Sequence, residues 1–277
     1  TNKIRLTIDK ESIIKNNVVS PKQYDSIVPY IDIDIKGRAL YKNRLMMLDL
    51  IANNNWKRPI YFSGGAYDDE DFLWMKNYLQ LDGMTYKLVP IKTEIPKDAS
   101  PLEMGGIDTD KMYANVMKWD WGNSESLSIY HDPETRKNSI TYRSYLSRLM
   151  NQLILEGKKE KAKNIITLAM NKMPLEQFGY YSLLEPFAKG YYDLGENAKA
   201  QDLLSKLILK YKENLKYYSS LTPSDQTSLA IDIITDIERY RSLLLVMKES
   251  GDATFYNKNK AQFNTYVSIF ERFGREK

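Results

Sequence analysis

Cysteine is absent from this chain of 277 residues, which removes disulfides, thiolate metal ligands and cysteine nucleophiles together. That lack leaves the compartment open, because cytosolic and periplasmic chains alike can do without cysteine. Histidine occurs once, at His131, so no histidine cluster is available to a transition metal. Long hydrophobic runs are missing too: no stretch approaches the ~18 apolar residues of a membrane span. A strong charge of one sign is also lacking. The 40 Lys and Arg against 36 Asp and Glu leave +4, far from the basic stripe of a nucleic-acid surface, so nucleic acid is not an expected partner. The chain starts at Thr1 with no charged-then-apolar leader. It reads as a processed or excised piece, which leaves room for a targeting signal or membrane segment upstream.

What is present is an ordinary globular balance, 43% hydrophobic and 27% charged, compatible with one large domain or two modest ones. Aromatic rings are abundant, with 21 Tyr, 8 Phe and 4 Trp; they suit helix packing first, and carbohydrate or peptide contact second. In the first third, Ile4, Leu6 and Ile8 alternate with polar residues, as do Ile31, Ile33 and Ile35, the period of a half-buried strand. From Ala39 to Asn54 the spacing of Tyr41, Leu45, Leu48 and Ala52, widened by Leu40, Met47 and Ile51, predicts a helix with a broad buried face. Pro59 to Phe62 reads as a short strand, Asp69 to Leu79 as a second helix, and Tyr86 to Val89 as another strand. Alternating strands and helices imply a small, partly parallel sheet.

The fold class read from these signals is α+β. A small α/β region spans 1–95, a connector packing on both parts spans 96–138, and an all-α array of tetratricopeptide-like hairpins spans 139–277. The repeat signal is a spacing. With Pro174 closing a hairpin of about 34 residues, Gly157 falls in the turn and Ala162 and Ala169 at the close crossing, where only small side chains fit. Gly195 precedes Ala200 as Gly157 precedes Ala162. A degenerate third hairpin starts at Thr222, Pro223 and Asp225, turns at Gly251, and ends in a capping helix bearing Phe263, Tyr266, Phe270 and Phe273.

Several strings invite a chemical reading. His131 beside Asp132 could pair as base and orienter, but with no nucleophile motif nearby a surface or capping role is the simpler reading. The run Asp68-Asp69-Glu70-Asp71 could hold a divalent cation, yet it falls where a helix should begin and complements that N-terminus. Ser63-Gly64-Gly65 only loosely resembles a phosphate turn. No cofactor and no metal are expected. The candidate binding residues are Asn55, Trp56, Lys57, Arg58 and Tyr61, where a helix end meets a strand, together with Trp119 and Trp121. A ring beside two cations can stack on a sugar or peptide face and pair with acids. Equally, Trp56 could anchor the turn while the cations answer the helix C-terminus, and the two later tryptophans could plug a subdomain interface.

The segments Leu48 to Phe62, Tyr78 to Lys92 and Lys118 to Asn123 resemble the C-terminal region of a family of bacterial polytopic membrane proteins, a domain of unknown function. In that family the N-terminal part looks like a lipid-sugar-dependent protein O-mannosyltransferase, and the tail carries tetratricopeptide-like helices. After Tyr130 the family's Asp-Glu pair is replaced here by His131-Asp132. The resemblance implies a non-catalytic extracytoplasmic domain on the periplasmic face, since the catalytic acid and lipid-phosphate site lie in the membrane part. It implies as partners the membrane-embedded part of the same polypeptide, and a polypeptide acceptor or glycan; only the full-length protein would be a transferase. The rival expectation is a freestanding periplasmic peptide- or glycan-binding module, and the remaining one a soluble enzyme using His131 or the acidic run.

Overall fold

The computed structural model describes residues 2–35, 39–63, 69–96, 99 and 101–273. The chain divides into two compact units, Thr1–Gly122 and Asn123–Lys277. The first carries the sheets and the second is all helix, an α+β layout with an all-α C-terminal part.

In the first unit, β1 (Asn2–Thr7) pairs antiparallel with β2 (Tyr30–Ile35) as a two-stranded ribbon. The alternation expected from sequence holds here: Ile31, Ile33 and Ile35 are buried, while Arg5 meets its cross-strand partner Asp32 in a surface ion pair at 2.6 Å. Between them, α1 (Lys10–Lys15) is capped by Asp9. A second sheet has the order β3 (Tyr61–Ser63), β5 (Thr85–Leu88), β4 (Leu79–Asp82) and β6 (Gly106–Ile107). It is antiparallel except for the short parallel pair of β4 with β6. Its register puts Phe62, Leu81, Tyr86 and Leu88 on one face, all buried, and Tyr61, Asp82, Thr85 and Lys87 on the other. The loop entering β6 passes so close to β4 that a Cβ on Gly105 (φ +72) would stand 2.7 Å from the Leu79 carbonyl oxygen.

Two sequence expectations fail in this unit. The helix α2 (Lys42–Asn53) forms, but buries only Leu48 and Ile51; Tyr41 and Leu45 are 66% and 53% exposed. Its inner stripe is therefore narrow. The helix expected from Asp69 to Leu79 does not form. Two single 3-10 turns, Asp69–Phe72 and Lys76–Tyr78, stand in its place and lead into β4. Phe72, Leu73 and Met75 are all fully buried, and Leu73 and Trp74 adopt left-handed φ of 51° and 57°, which a right-handed helix cannot accommodate. With Met75 N–H bonded to the Phe72 carbonyl at 3.0 Å, this is a turn of type I′. The acidic run consequently starts no helix: Arg44 of α2 answers Asp71 at 2.7 Å and Glu70 at 3.3 Å. Asp68, Gly64 and Gly65 lie outside the described residues. The unit's last helix, α3 (Thr109–Val116), packs on β4.

The second unit begins with α4 (Pro133–Leu155), earlier than residue 139, because Asp132 caps it by accepting from the Glu134 and Thr135 amides. There follow α5 (Lys159–Lys172), α6 (Leu175–Phe178), α7 (Glu185–Asp193), α8 (Asn197–Ser219), α9 (Pro223–Ser228), α10 (Ala230–Glu249) and α11 (Ala253–Ile269). Thr222 and Pro223 start only the short α9, and the chain begins a fresh helix at Ala230. Three of the connections are the same turn. Gly157, Gly195 and Gly251 take φ of 73°, 76° and 78°, and the residue after each donates back to Leu153, Tyr191 and Met247 at 2.8–2.9 Å. This is the Schellman stop, and it gives the repeated glycine its physical reason. Ala162, Ala169 and Ala200 are fully buried. Packing runs between neighbours: α4 on α5 and α7, α7 on α8 and α10, α10 on α8 and α11.

Asp236 of α10 is 6% exposed and its carboxylate accepts from Asn214 Nδ2 at 2.9 Å. Burial pushes its pKa up despite that bond. A raised carboxyl costs stability wherever the unfolded chain is already ionised, that is, above the ordinary value of about 3.9. Asp236→Asn is therefore expected to stabilise the helical unit at pH 7, with the gain fading to nothing near pH 3; urea unfolding at the two pH values measures it. A gain at pH 3 equal to that at pH 7 would refute the assignment.

Candidate functional site

The C-terminal end of α2 is closed by Asn54, not by the cations that follow it. Its side chain donates to the Arg58 carbonyl at 2.7 Å and accepts from the Arg58 amide at 3.3 Å. Between these anchors Asn55 and Trp56 take φ of 47° and 57°, with Lys57 N–H bonded to the Asn54 carbonyl at 3.0 Å, another type I′ turn. Asparagine tolerates that region, but a tryptophan there costs about 1–2 kcal/mol. A backbone cost of this kind often marks a functional position.

The turn forms one wall of a cavity of about 200 Å³ lined by Trp56, Lys57, Arg58, Tyr61 and Lys87, with Asn16, Asn17 and Val18 opposite. Asn17 is a third residue with left-handed φ, at 50°. Trp56 is half-buried, while Lys57 and Arg58 are exposed and pair with no acid among the described residues. Lys87 is half-buried beside Tyr61, its cross-strand neighbour, and its ammonium donates to the Val18 carbonyl at 2.6 Å. Burial, aided by Lys111, lowers its pKa. Tyr61 donates to Asp82 at 2.9 Å, and Asp82 also accepts from Asn115 of α3 at 2.6 Å; burial and that carboxylate push the Tyr61 hydroxyl up to about 12. The Asp82 oxygens are thus engaged by Tyr61 and Asn115, and three cations, Lys57, Arg58 and Lys87, line the cleft; of these Lys87 also feels Asp82 and Asp108, which offset part of the effect of its burial.

The structure brings Trp56, Lys57, Arg58 and Tyr61 together and places Asn55 in the turn beside them. Trp119 and Trp121 do not line the cleft. Their rings lie 5.7 Å apart, with Trp119 over Gly83 of the β4–β5 turn. Lys87, Asn16 and Asn17 are additions that the sequence did not flag. In the second unit, His131 stacks on Phe178 at 4.6 Å and donates from Nε2 to the Ser124 carbonyl at 2.9 Å. Asp132 is occupied as the cap of α4, so the two do not form a base and its orienter. Among the described residues, no group of three potential ligands could hold a metal, and no helix is long and apolar enough to cross a membrane.

Residues 1–111 match the model of a family described as TMEM260-associated domain 2. Every residue of the cleft falls inside that match, whereas Trp119, Trp121 and the helical unit fall outside it. The matched part is thus similar to a domain associated with a membrane protein. No curated protein and no solved structure matches the chain.

Proposed function

We propose that this chain is the non-catalytic, extracytoplasmic domain of a membrane glycosyltransferase-like protein of the protein O-mannosyltransferase kind. In this reading it faces the periplasm, its cleft holds an acceptor polypeptide or glycan, and the domain docks on the membrane-embedded part of the same polypeptide. The observation that carries the reading is the cleft itself, where a half-buried indole on a strained turn stands beside Lys57 and Arg58, which pair with no acid among the described residues. The family match supports the membrane-protein context. Leu45, Met46 and Leu50 of α2 and Tyr41 just before it, each more than half exposed, support a docking role, and the three Schellman-closed hairpins support a tetratricopeptide-like scaffold.

The test is Arg58→Ala in the full-length protein. The side chain is exposed and unpaired, so the melting temperature should stay put, with stability changed by less than about 0.5 kcal/mol. Glycan transfer to acceptor should fall. Lost stability with intact transfer would reduce the string to a turn anchor. A reading frame upstream of Thr1 that holds only a signal peptide would favour a freestanding peptide- or glycan-binding module instead.

A further inference from the structure

We propose that the occupant of the cleft is an extended acidic polypeptide segment, which adds as a strand to the free edge of β3 and directs a carboxylate toward Lys57, Arg58 and Lys87. The proposal rests on the reading of the cleft as a binding site and names its ligand class.

The edge is carried by register. Among the described residues β3 ends its sheet and pairs only with β5. Leu88 N–H donates to the Ile60 carbonyl at 2.9 Å, so in an antiparallel ladder the main-chain groups of Ile60 and Phe62 turn toward β5. Those of Tyr61 and Ser63 turn the other way. Among the described residues no strand pairs with that side. It therefore offers N–H donors and C=O acceptors in the alternation that another extended backbone fits, the geometry of strand addition. An edge only three residues long resists indiscriminate pairing, so side chains must supply the selectivity.

The cleft supplies it. Tyr61 belongs both to the free edge and to the cavity wall, so a strand laid along the edge runs beside the cavity. Alternate side chains of that strand share the face bearing Tyr61 and Lys87. Lys57 and Arg58 lack acid partners, and Lys87 spends its ammonium on a main-chain carbonyl. Asp82 lies on the same face, but its oxygens hold Tyr61 and Asn115. A carboxylate entering here gains three cations, and an apolar neighbour can lie on Trp56. A lysine-bearing strand would meet like charge, which sets the sign of the discrimination.

The probe is a short blocked peptide alternating threonine with glutamate, titrated into the 277-residue chain and followed by amide and indole NMR shifts. The expected shifts are at Tyr61, Ser63 and the Trp56 indole. Replacing glutamate by glutamine should weaken binding about tenfold, as should N-methylation of alternate peptide amides. Lys87→Met should do the same, with Arg58→Gln as an exposed second variant should Lys87→Met fold poorly. Equal affinity for the glutamine peptide, indifference to N-methylation, or no shift in the cleft at about ten millimolar peptide would overturn the proposal. Should transfer be lost in full-length Arg58→Ala while the glutamate peptide fails to bind, the cleft is a working site for another ligand class. Should both fail, the site reading falls with the proposal.

Discussion

Replacing Arg143 by alanine is expected to cost the helical unit about 2–5 kcal/mol, read from urea unfolding followed by far-UV ellipticity. Arg143 is fully buried in α4 and pairs with no carboxylate among the described residues. Its Nη2 donates to the Met173 carbonyl at 2.8 Å and its Nη1 to the Gly179 carbonyl at 2.5 Å. These are the carbonyls just past the ends of α5 and α6, where helices leave acceptors unsatisfied and where positive charge is favoured. Burial brings the guanidinium pKa down to about 10, so it remains charged at neutral pH. Alanine removes the donors and opens a cavity. Arg143→Met refills the volume but leaves the buried Met173 carbonyl and the half-buried Gly179 carbonyl without their donor, so it should recover only the packing share and still lose about 1–3 kcal/mol. Lysine, a point charge without the fork, should fall between the two. A loss below about 1 kcal/mol for alanine would mean that water replaces the guanidinium.

The second large effect is expected at Gly105→Val, about 2–5 kcal/mol from two causes that add. A β-branched residue at φ +72 forfeits roughly 1–2 kcal/mol in the left-handed region. Its Cβ, 2.7 Å from the Leu79 carbonyl oxygen and 3.0 Å from the carbonyl carbon, meets main chain that cannot swing aside, for about another 1–3 kcal/mol. The damage should centre on the parallel pair of β4 with β6, where Gln80 faces Gly106. Hydrogen exchange at the Leu81 and Ile107 amides reports it. Exchange unchanged from the parent would show that the loop can leave β4 without consequence.

Local signals made part of this fold legible. The alternation around Ile4 and Ile31 exposes β1 and β2, because one face of the ribbon is buried and period two survives in the sequence. The Gly157 and Gly195 spacing exposes the hairpins, since a Schellman stop needs a left-handed residue at a fixed place. The stretch from Asp69 to Leu79 misleads for the opposite reason. Its apolar residues are buried on all sides by tertiary packing, and nothing in Leu73-Trp74 announces a left-handed pair. Gly83-Met84, set between Leu79-Gln80-Leu81-Asp82 and Thr85-Tyr86-Lys87-Leu88, is the local sign of the β4–β5 hairpin, a two-residue loop with glycine first at φ 70°. At the cleft, Trp56 to Arg58 is readable as one string. Lys87 joins it only through the β3–β5 register, and Asn16 and Asn17 only through a loop brought from before β2. Such long-range placements leave no trace in a linear pattern.

All four tryptophans, Trp56, Trp74, Trp119 and Trp121, precede the division at Gly122. The sheet-bearing unit is therefore the sole emitter when the chain is excited near the red edge of its absorption, while the helical unit dominates ellipticity. Two optical channels thus watch two folding units without any label. Melting curves that coincide in both channels would show one cooperative block, and curves that part would time the units separately, which lets Arg143→Ala and Gly105→Val each be seen to darken its own channel first.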